Sequence, residues 1–181
     1  MSLKRLVIDG YGQLELNNVA FRRDGRIEAQ CKLDETDFKS VPAENGMLLA
    51  VDNVKRVVRF PKSEEKMPLA LHYSAEHMYD ERLPGLKNFK LERGSFLPRM
   101  GYLAEGDKFT TNCICYDDSD FSTEELLVTA LGNVKETPLY AAPSAIGAWQ
   151  ITKTDTNARA IFLCKTTMPD GQLAVKLQAL K

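Results

Sequence analysis

Residues 159–180, RAIFLCKTTMPDGQLAVKLQAL, predict a β-hairpin at the C-terminal end of the chain. Its centre, Met168-Pro169-Asp170-Gly171, has proline at the second and glycine at the fourth position, as a type I turn prefers. After the turn the residues alternate, and one face carries Leu173, Val175, Leu177 and Ala179. Before it, residues 160–164 show no polar alternation, which predicts a central strand covered on both faces. The C-terminus is therefore expected to belong to the core.

Residues 19–33, VAFRRDGRIEAQCKL, predict a second hairpin. Asp24-Gly25 lies between two alternating segments, which is the sequence that a type I′ turn favours. One face of the second strand would carry Ile27, Ala29, Cys31 and Leu33, and the other Glu28, Gln30 and Lys32.

Five further segments have the composition of strands: 47–51, 54–60, 69–74, 108–116 and 148–153, the last around the only tryptophan. Their spacing is typical of a meander or a sandwich.

One short helix is predicted after residue 121. Ser122 and Glu125 form a capping box, and Gly132 follows as the stop signal. The apolar stripe of this helix consists of Leu126, Leu127, Ala130 and Leu131.

Residues 60–101 are interrupted too often for long regular elements, by Pro61, Pro68, Pro84, Gly85, Gly94 and Pro98. We expect a long irregular excursion or arm here, and such segments are usually functional or stabilised by a partner. The fold class predicted from these patterns is mainly β: a single domain over residues 1–181, built as an antiparallel sandwich or barrel-like domain with one short helix and this arm at about 60–101.

Composition and charge indicate a globular chain. Of the 181 residues, 27% are charged and 44% apolar, and the net charge is −1, so binding to nucleic acid is not favoured. The longest uncharged stretch, 137–152, contains two prolines and a glycine and is shorter than a membrane span. The apolar run at residues 6–8 stops at Asp9, too soon for a signal peptide, so synthesis in a cytoplasm is expected.

The four cysteines are Cys31, Cys113, Cys115 and Cys164. In a reducing compartment we interpret them as buried thiols rather than disulfides. Cys113-x-Cys115 has no second Cys or His pair at zinc spacing, and the two cysteines would extend a core stripe that begins with Phe109 and Thr111.

His72 and His77 are the only histidines. His72 is opposite in parity to Leu69, Leu71 and Tyr73, so it is predicted to face solvent or the rim of the sheet. A nucleophilic Ser, Thr or Cys would need one of these imidazoles beside it as a base, and neither lies in a local catalytic signature. We therefore predict no catalytic residue.

Two charged stretches are candidate binding sites. Residues 117–120 with Glu124 and Glu125 are acidic but lack the glycine and glutamate spacing of an EF-hand, and they would favourably oppose the dipole at the start of the helix. Residues 87–99 interleave cations with Phe89 and Phe96, as single-stranded nucleic-acid sites do, although a solvated face accounts for them better. The sequence predicts no metal-binding and no cofactor-binding residue.

The uncharged segment 138–149 carries Tyr140, Ile146 and Trp149. We expect it to pack internally, with an interface as the alternative.

Three stretches, ENGMLLAV (44–51), YDERLPGLKN (79–88) and FLPRMGYLAEGD (96–107), resemble small accessory virion proteins of tailed bacteriophages. The resemblance implies an all-β capsid decoration or head auxiliary protein, located on the virion, that binds the major capsid protein or other virion proteins and has no enzymatic activity. It assigns a role and no site residues. Copies of the chain itself are a further expected partner.

The function expected from the sequence is thus that of a non-enzymatic structural protein of a viral particle, with contacts in 60–101, 138–149 or both. The alternative is a β-sandwich module that binds a small molecule, sugar or peptide in a cleft between loops. An enzyme with an unrecognised pair of carboxylates is left as a third reading, because spacing in sequence does not determine proximity in a β fold.

Overall fold

The computed structural model describes residues 2–75, 85–133 and 137–180. His77, Pro84 and residues 79–83 of the second resembling stretch lie outside these ranges. Within them the chain forms β1 (Leu3–Arg5), β2 (Leu14–Asn18), α1 (Phe21–Asp24), β3 (Ile27–Glu28), β4 (Lys32–Leu33), β5 (Leu48–Asp52), β6 (Val57–Arg59), β7 (Leu69–His72), a 3₁₀ turn (Leu86–Asn88), β8 (Met100–Gly101), β9 (Lys108–Thr111), β10 (Ile114–Asp117), α2 (Glu124–Gly132), β11 (Tyr140–Ala142), β12 (Trp149–Thr152), β13 (Ala160–Thr167) and β14 (Leu173–Ala179).

The strands form two sheets in a sandwich-like arrangement, which confirms the mainly β fold class. One sheet has the order β1-β10-β12-β11-β13-β14-β9-β2, and the other has the order β3-β8-β7-β5-β6-β4. The neighbours β10 and β12 are parallel, as are β4 and β6, and the other paired strands are antiparallel. Both sheets are therefore mixed rather than purely antiparallel.

The core consists of two clusters that share β5 and β7. Leu48 and Leu71 pack in a first cluster with Trp149, whose ring centroid is 5.2 Å from that of Phe109. Their neighbours Leu49 and Ala70 pack in a second cluster. Because successive side chains of a strand point to opposite faces, the centre of the six-stranded sheet is buried on both sides.

The C-terminal hairpin is confirmed. β13 and β14 pair in antiparallel register from Ala160–Ala179 to Thr167–Leu173, and the Gly171 N–H donates to the Met168 carbonyl at 2.9 Å. The prediction that residues 160–164 are covered on both faces is wrong, since Leu163 and Cys164 are exposed. The register shifts between Phe162 and Cys164, and this irregularity turns the second half of β13 toward solvent.

The hairpin predicted for residues 19–33 is wrong. Residues 21–24 form a single helical turn that ends at Gly25, which has a left-handed φ of 71°. The turn buries Phe21 completely against Tyr73, at a centroid distance of 4.9 Å. β3 then pairs with β8 and β4 pairs in parallel with β6, so the two short strands join different neighbours. The expected apolar face is also incomplete, because Cys31 and Leu33 are buried whereas Ile27 and Ala29 are exposed.

The strands predicted at 47–51, 69–74 and 148–153 are confirmed as β5, β7 and β12. The segment 108–116 divides at residues 112–113 into β9 and β10. Phe109 therefore packs in the first cluster and Cys113 and Cys115 in the second, so the single core stripe is wrong although all are buried. Of residues 54–60 only β6 is a strand, because Arg56 adopts a left-handed φ of 56° in the preceding turn.

The predicted helix is confirmed as α2, with its start one residue later than expected. Thr123, not Ser122, is the N-cap, and its side chain accepts the N–H of Leu126. Gly132 is the last helical residue. Leu127 and Leu131 are buried, whereas Leu126 is half exposed.

Candidate interaction surface

The prediction that His72 faces solvent is wrong, because its side chain is fully buried at the end of β7. Nδ1 lies 2.7 Å from the Glu44 carbonyl oxygen and Nε2 lies 2.7 Å from Ser74 Oγ. A carbonyl oxygen only accepts, so Nδ1 carries the proton and Nε2 accepts from the Ser74 hydroxyl. The same Oγ accepts the Arg99 N–H at 2.9 Å.

The His72–Ser74 pair has the residue types of a nucleophile and its base, but its chemistry favours a structural role. Burial lowers the pKa of His72 to about 4, even though the hydrogen bond and the charge of Glu44 act in the opposite direction. Such an imidazole is a weak base near neutral pH, and Ser74 already makes two hydrogen bonds. The pair connects β7 to the backbone before β5 and to the backbone before β8.

A partly buried ion pair joins β1 to the same loop before β5. Both guanidinium Nη atoms of Arg5 bind the two carboxylate oxygens of Glu44, at 2.7 and 2.8 Å. The Gly12 N–H donates to Glu44 Oε2 at 2.6 Å. Bidentate pairing of this kind is among the stronger charged interactions, and here it ties two sheets together.

Three of the four cysteines are buried thiols, as predicted, and Cys164 is not. Burial raises the pKa of Cys113 to about 12 and that of Cys115 to about 11. Over residues 2–75, 85–133 and 137–180, no three or more His, Cys, Asp or Glu side chains are grouped so that they could hold a metal ion.

The acidic run 117–120 is occupied by internal contacts. Asp117 Oδ1 accepts the Ser119 N–H at 2.7 Å, and Asp118 pairs with Lys4 at 2.5 Å. Glu124 and Glu125 lie in the first turn of α2, where their charge favourably opposes the helix dipole.

The cations of the basic stretch 87–99 also contact the protein itself. Lys87 pairs with Asp9, and Lys90 pairs with Glu92 at 2.6 Å. Arg93 donates to a backbone carbonyl at 3.1 Å, and the Arg99 guanidinium lies 5.8 Å from the centroid of the Tyr73 ring. These contacts favour the interpretation of a solvated face.

This stretch also exposes two large apolar side chains. Phe96 is 84% exposed and Leu97 50% exposed. Their loop is held in place because Ala43 and Leu91 exchange two backbone hydrogen bonds of 2.9 Å, and Leu91 is buried in the second cluster. The loop then turns at Gly94, which has a φ of +78°.

Two cavities of about 440 Å³ each lie beside this loop and share Arg93 in their walls. The first contains Phe96 and Leu97, and the second contains Val41, which is 43% exposed.

We call the combined region the Phe96 surface. It consists of three apolar residues, Val41, Phe96 and Leu97, and of five charged residues that line the same cavities: Lys32, Glu35, Lys90, Glu92 and Arg93. Lys32 pairs with Glu35 at 2.8 Å. Exposed aromatic side chains and arginine, both present here, are enriched in protein–protein contacts.

The sequence identified Phe96 as part of an aromatic and basic stretch, but it gave no indication of Val41. The bridge between Ala43 and Leu91 joins the two loops that carry these residues across about fifty residues of sequence, and no local pattern encodes it.

The second segment expected to supply an interface, 138–149, packs internally. Trp149 is fully buried and donates its Nε1–H to the Gly46 carbonyl at 2.9 Å. Ile146 is partly buried against the second cluster. The predicted internal packing is therefore confirmed for these two residues.

In the described part of the chain, no helix is long and apolar enough to cross a membrane. No protein-family model, no curated protein and no solved structure matches the chain.

Proposed function

We propose that this chain is a non-enzymatic structural protein of a viral particle, a capsid decoration or auxiliary protein of a tailed bacteriophage. In this proposal it binds the major capsid protein through the Phe96 surface. The observation that carries the proposal is an aromatic side chain that is 84% exposed on a loop fixed by backbone pairing.

The energetic argument starts from the exposed apolar side chains. Fully burying a residue such as Phe or Leu stabilises a complex by roughly 1.5–3 kcal/mol. Phe96, Leu97 and Val41 together would supply the centre of a contact, whereas a stable interface buries about 1,200–2,000 Å² in total. The charged rim would then set the orientation of the partner and the association rate.

The link to a capsid comes from the sequence resemblance. Phe96 is the first residue of the resembling stretch 96–107, so the exposed aromatic lies at the start of that stretch. The proposal includes the location on the virion, the identity of the partner and the absence of enzymatic activity.

The test is co-sedimentation with empty shells assembled from the major capsid protein encoded in the same genome. We expect the wild-type chain to pellet with shells at a fixed ratio, and Phe96→Asp to remain in the supernatant. Val54→Asp is the matched control, because Val54 is 89% exposed in the turn before β6 and lines neither cavity of the Phe96 surface. A wild-type chain that never pellets with the shells would contradict the proposal, and equal binding by the two variants would exclude the Phe96 surface.

A further inference from the structure

The carboxylates of the Phe96 surface are both occupied by neighbouring cations. Glu35 pairs with Lys32 at 2.8 Å, and Glu92 pairs with Lys90 at 2.6 Å. Arg93 lines both cavities and makes no ion pair in the part of the chain that the structure describes. Its guanidinium donates to the backbone carbonyl of Glu35 at 3.1 Å, which is an uncharged acceptor. The charge of Arg93 is therefore left uncompensated.

A further cation, Lys39, lines the second cavity. Its side chain is exposed, and no described residue forms an ion pair or a hydrogen bond with its ammonium. The carboxylates nearest to it in sequence, Asp34 and Asp37, each accept a backbone N–H group, at 2.9 and 2.8 Å, and line neither cavity. The charged side chains that line the two cavities are thus four cations and two carboxylates. Their formal charge is +2, whereas that of the whole chain is −1.

The binding capacity that remains on this surface is for an anion. Lysine and arginine side chains only donate hydrogen bonds, so the free N–H groups of Lys39 and Arg93 require acceptors. A carboxylate supplies both the acceptor oxygens and the opposite charge, and it can bind a guanidinium through two oxygens. The exposed side chains of Phe96, Leu97 and Val41 lie in the walls of the same cavities and offer an apolar contact beside these donors.

We infer that the partner segment that occupies the Phe96 surface is acidic, with an apolar side chain at its centre and flanking carboxylates that bind Lys39 and Arg93. The inference rests on the proposed function, because it takes this surface as the contact site, and it adds the chemistry of the partner. A protein segment is favoured over a single-stranded nucleic acid. Nucleic-acid sites follow the phosphate backbone with a row of cations and stack bases on aromatic rings, whereas two of the three exposed apolar side chains here are aliphatic.

Two synthetic octapeptides with the same fluorophore test the sign of the charge without capsid shells. Both have Phe-Leu at the centre, and this pair is flanked by four aspartates in one peptide and by four lysines in the other. Binding to the intact chain is measured by fluorescence anisotropy. At 50 mM NaCl we expect the acidic peptide to bind at least about tenfold more tightly than the basic one. At 500 mM NaCl the screening length falls from about 14 Å to about 4 Å, and the ratio should fall below about threefold.

Two charge reversals test whether the acidic peptide binds at the Phe96 surface. Lys39→Glu should weaken binding of the acidic peptide by about three- to tenfold and should not weaken binding of the basic one. Lys55→Glu is the matched control, because it changes the net charge equally and Lys55 is exposed in the turn before β6, where it lines neither cavity. Its affinity for the acidic peptide should stay within about twofold of that of the wild type. Thermal melts verify that both variants are folded.

The inference is overturned by the absence of saturable binding of the acidic peptide, by equal affinity for the two peptides at low salt, or by equal effects of the two reversals. A single-stranded oligothymidylate that binds as tightly as the acidic peptide would also overturn it, in favour of a nucleic-acid site. Failure of the proposed function is a separate result, because the wild-type chain then does not pellet with capsid shells even if it binds the acidic peptide. A chain that pellets with shells and does not distinguish the peptides keeps the proposed function and loses this inference.

Discussion

Burial of His72 predicts a specific loss of stability in mild acid. The pKa of His72 is about 4 in the folded chain, against about 6.5 when the chain is unfolded. Between these values the unfolded state binds the proton and the folded state does not, so the free energy of unfolding falls as the pH decreases through this window. The stabilising contribution of the neutral imidazole is therefore fully present above pH 6.5 and is lost progressively toward pH 4.

The size of the effect follows from the two pKa values. At pH 5 the linkage relation gives a loss of about 2 kcal/mol relative to pH 7, and most of the carboxylates are still ionised at that pH. A urea m value of roughly 2 kcal/mol/M for a domain of this size converts the loss into a midpoint shift of about 1 M. The charge of Glu44 raises the pKa of His72 but does not outweigh burial, and the Glu44 carboxylate is itself bound by Arg5 at 2.7 and 2.8 Å.

The assay is urea denaturation of the wild type and of His72→Gln at pH 7 and pH 5. Glutamine can donate to the Glu44 carbonyl and accept from Ser74, but it does not titrate. We expect the wild type to lose about 2 kcal/mol more than the variant between these pH values. Both proteins contain His77 and the same carboxylates, so their titration cancels in the comparison. Equal pH dependence of the two proteins would refute the reasoning, and a wild type that gains stability at pH 5 would mean that the imidazole is charged in the folded state.

Three further predictions concern packing and reactivity. Gly101→Ala should destabilise the chain by about 1–3 kcal/mol, because a Cβ at this position would lie 2.6 Å from the Phe21 ring. Gly132→Ala, at the end of α2 with open space around it, should instead stabilise the chain by about 0.5–1 kcal/mol. Thermal melts in which both variants shift in the same direction would contradict the packing argument. Trp149→Phe should cost about 2–4 kcal/mol in urea denaturation, since it removes the bond to the Gly46 carbonyl and part of the core volume, and a loss below 1 kcal/mol would disagree with full burial. A thiol-specific chromogenic reagent should modify one cysteine in the native chain and four in urea, and Cys164→Ser should abolish the native reaction; fast modification of a second thiol would contradict the burial of Cys31, Cys113 and Cys115.

The fold class, the C-terminal hairpin and α2 could be predicted from the sequence because their signals are local. Pro169 and Gly171 mark the turn between β13 and β14, and the stripe of Leu127 and Leu131 defines the buried side of α2. The hairpin predicted for residues 19–33 is wrong because Asp24-Gly25 is compatible both with a type I′ turn and with the end of a helical turn. Burial of Phe21 against Tyr73, a residue about fifty positions away, decided between them.

The candidate surface could be predicted only in part for the same reason. A stretch that interleaves cations with aromatic residues is visible in the sequence, and Phe96 belongs to it. The place of Val41 in the Phe96 surface depends on a bridge between distant loops. The prediction that His72 faces solvent is wrong because strand parity describes a sheet with one solvent face, whereas β7 is buried on both sides.

Two of the three resembling stretches, 44–51 and 96–107, lie wholly within the described residues, and they differ in their contacts. In residues 44–51, Glu44 binds Arg5 and His72, the Gly46 carbonyl binds Trp149, and Leu48 and Leu49 belong to the two core clusters. These residues join the sheets, so a partner is not needed to account for them. Phe96, at the start of 96–107, makes no comparable contribution to the core, since 84% of its surface is exposed. If the resemblance reflects a shared partner, then of these two stretches the one that begins at Phe96 offers the accessible contact, and substitutions in 44–51 should reduce stability before they reduce binding.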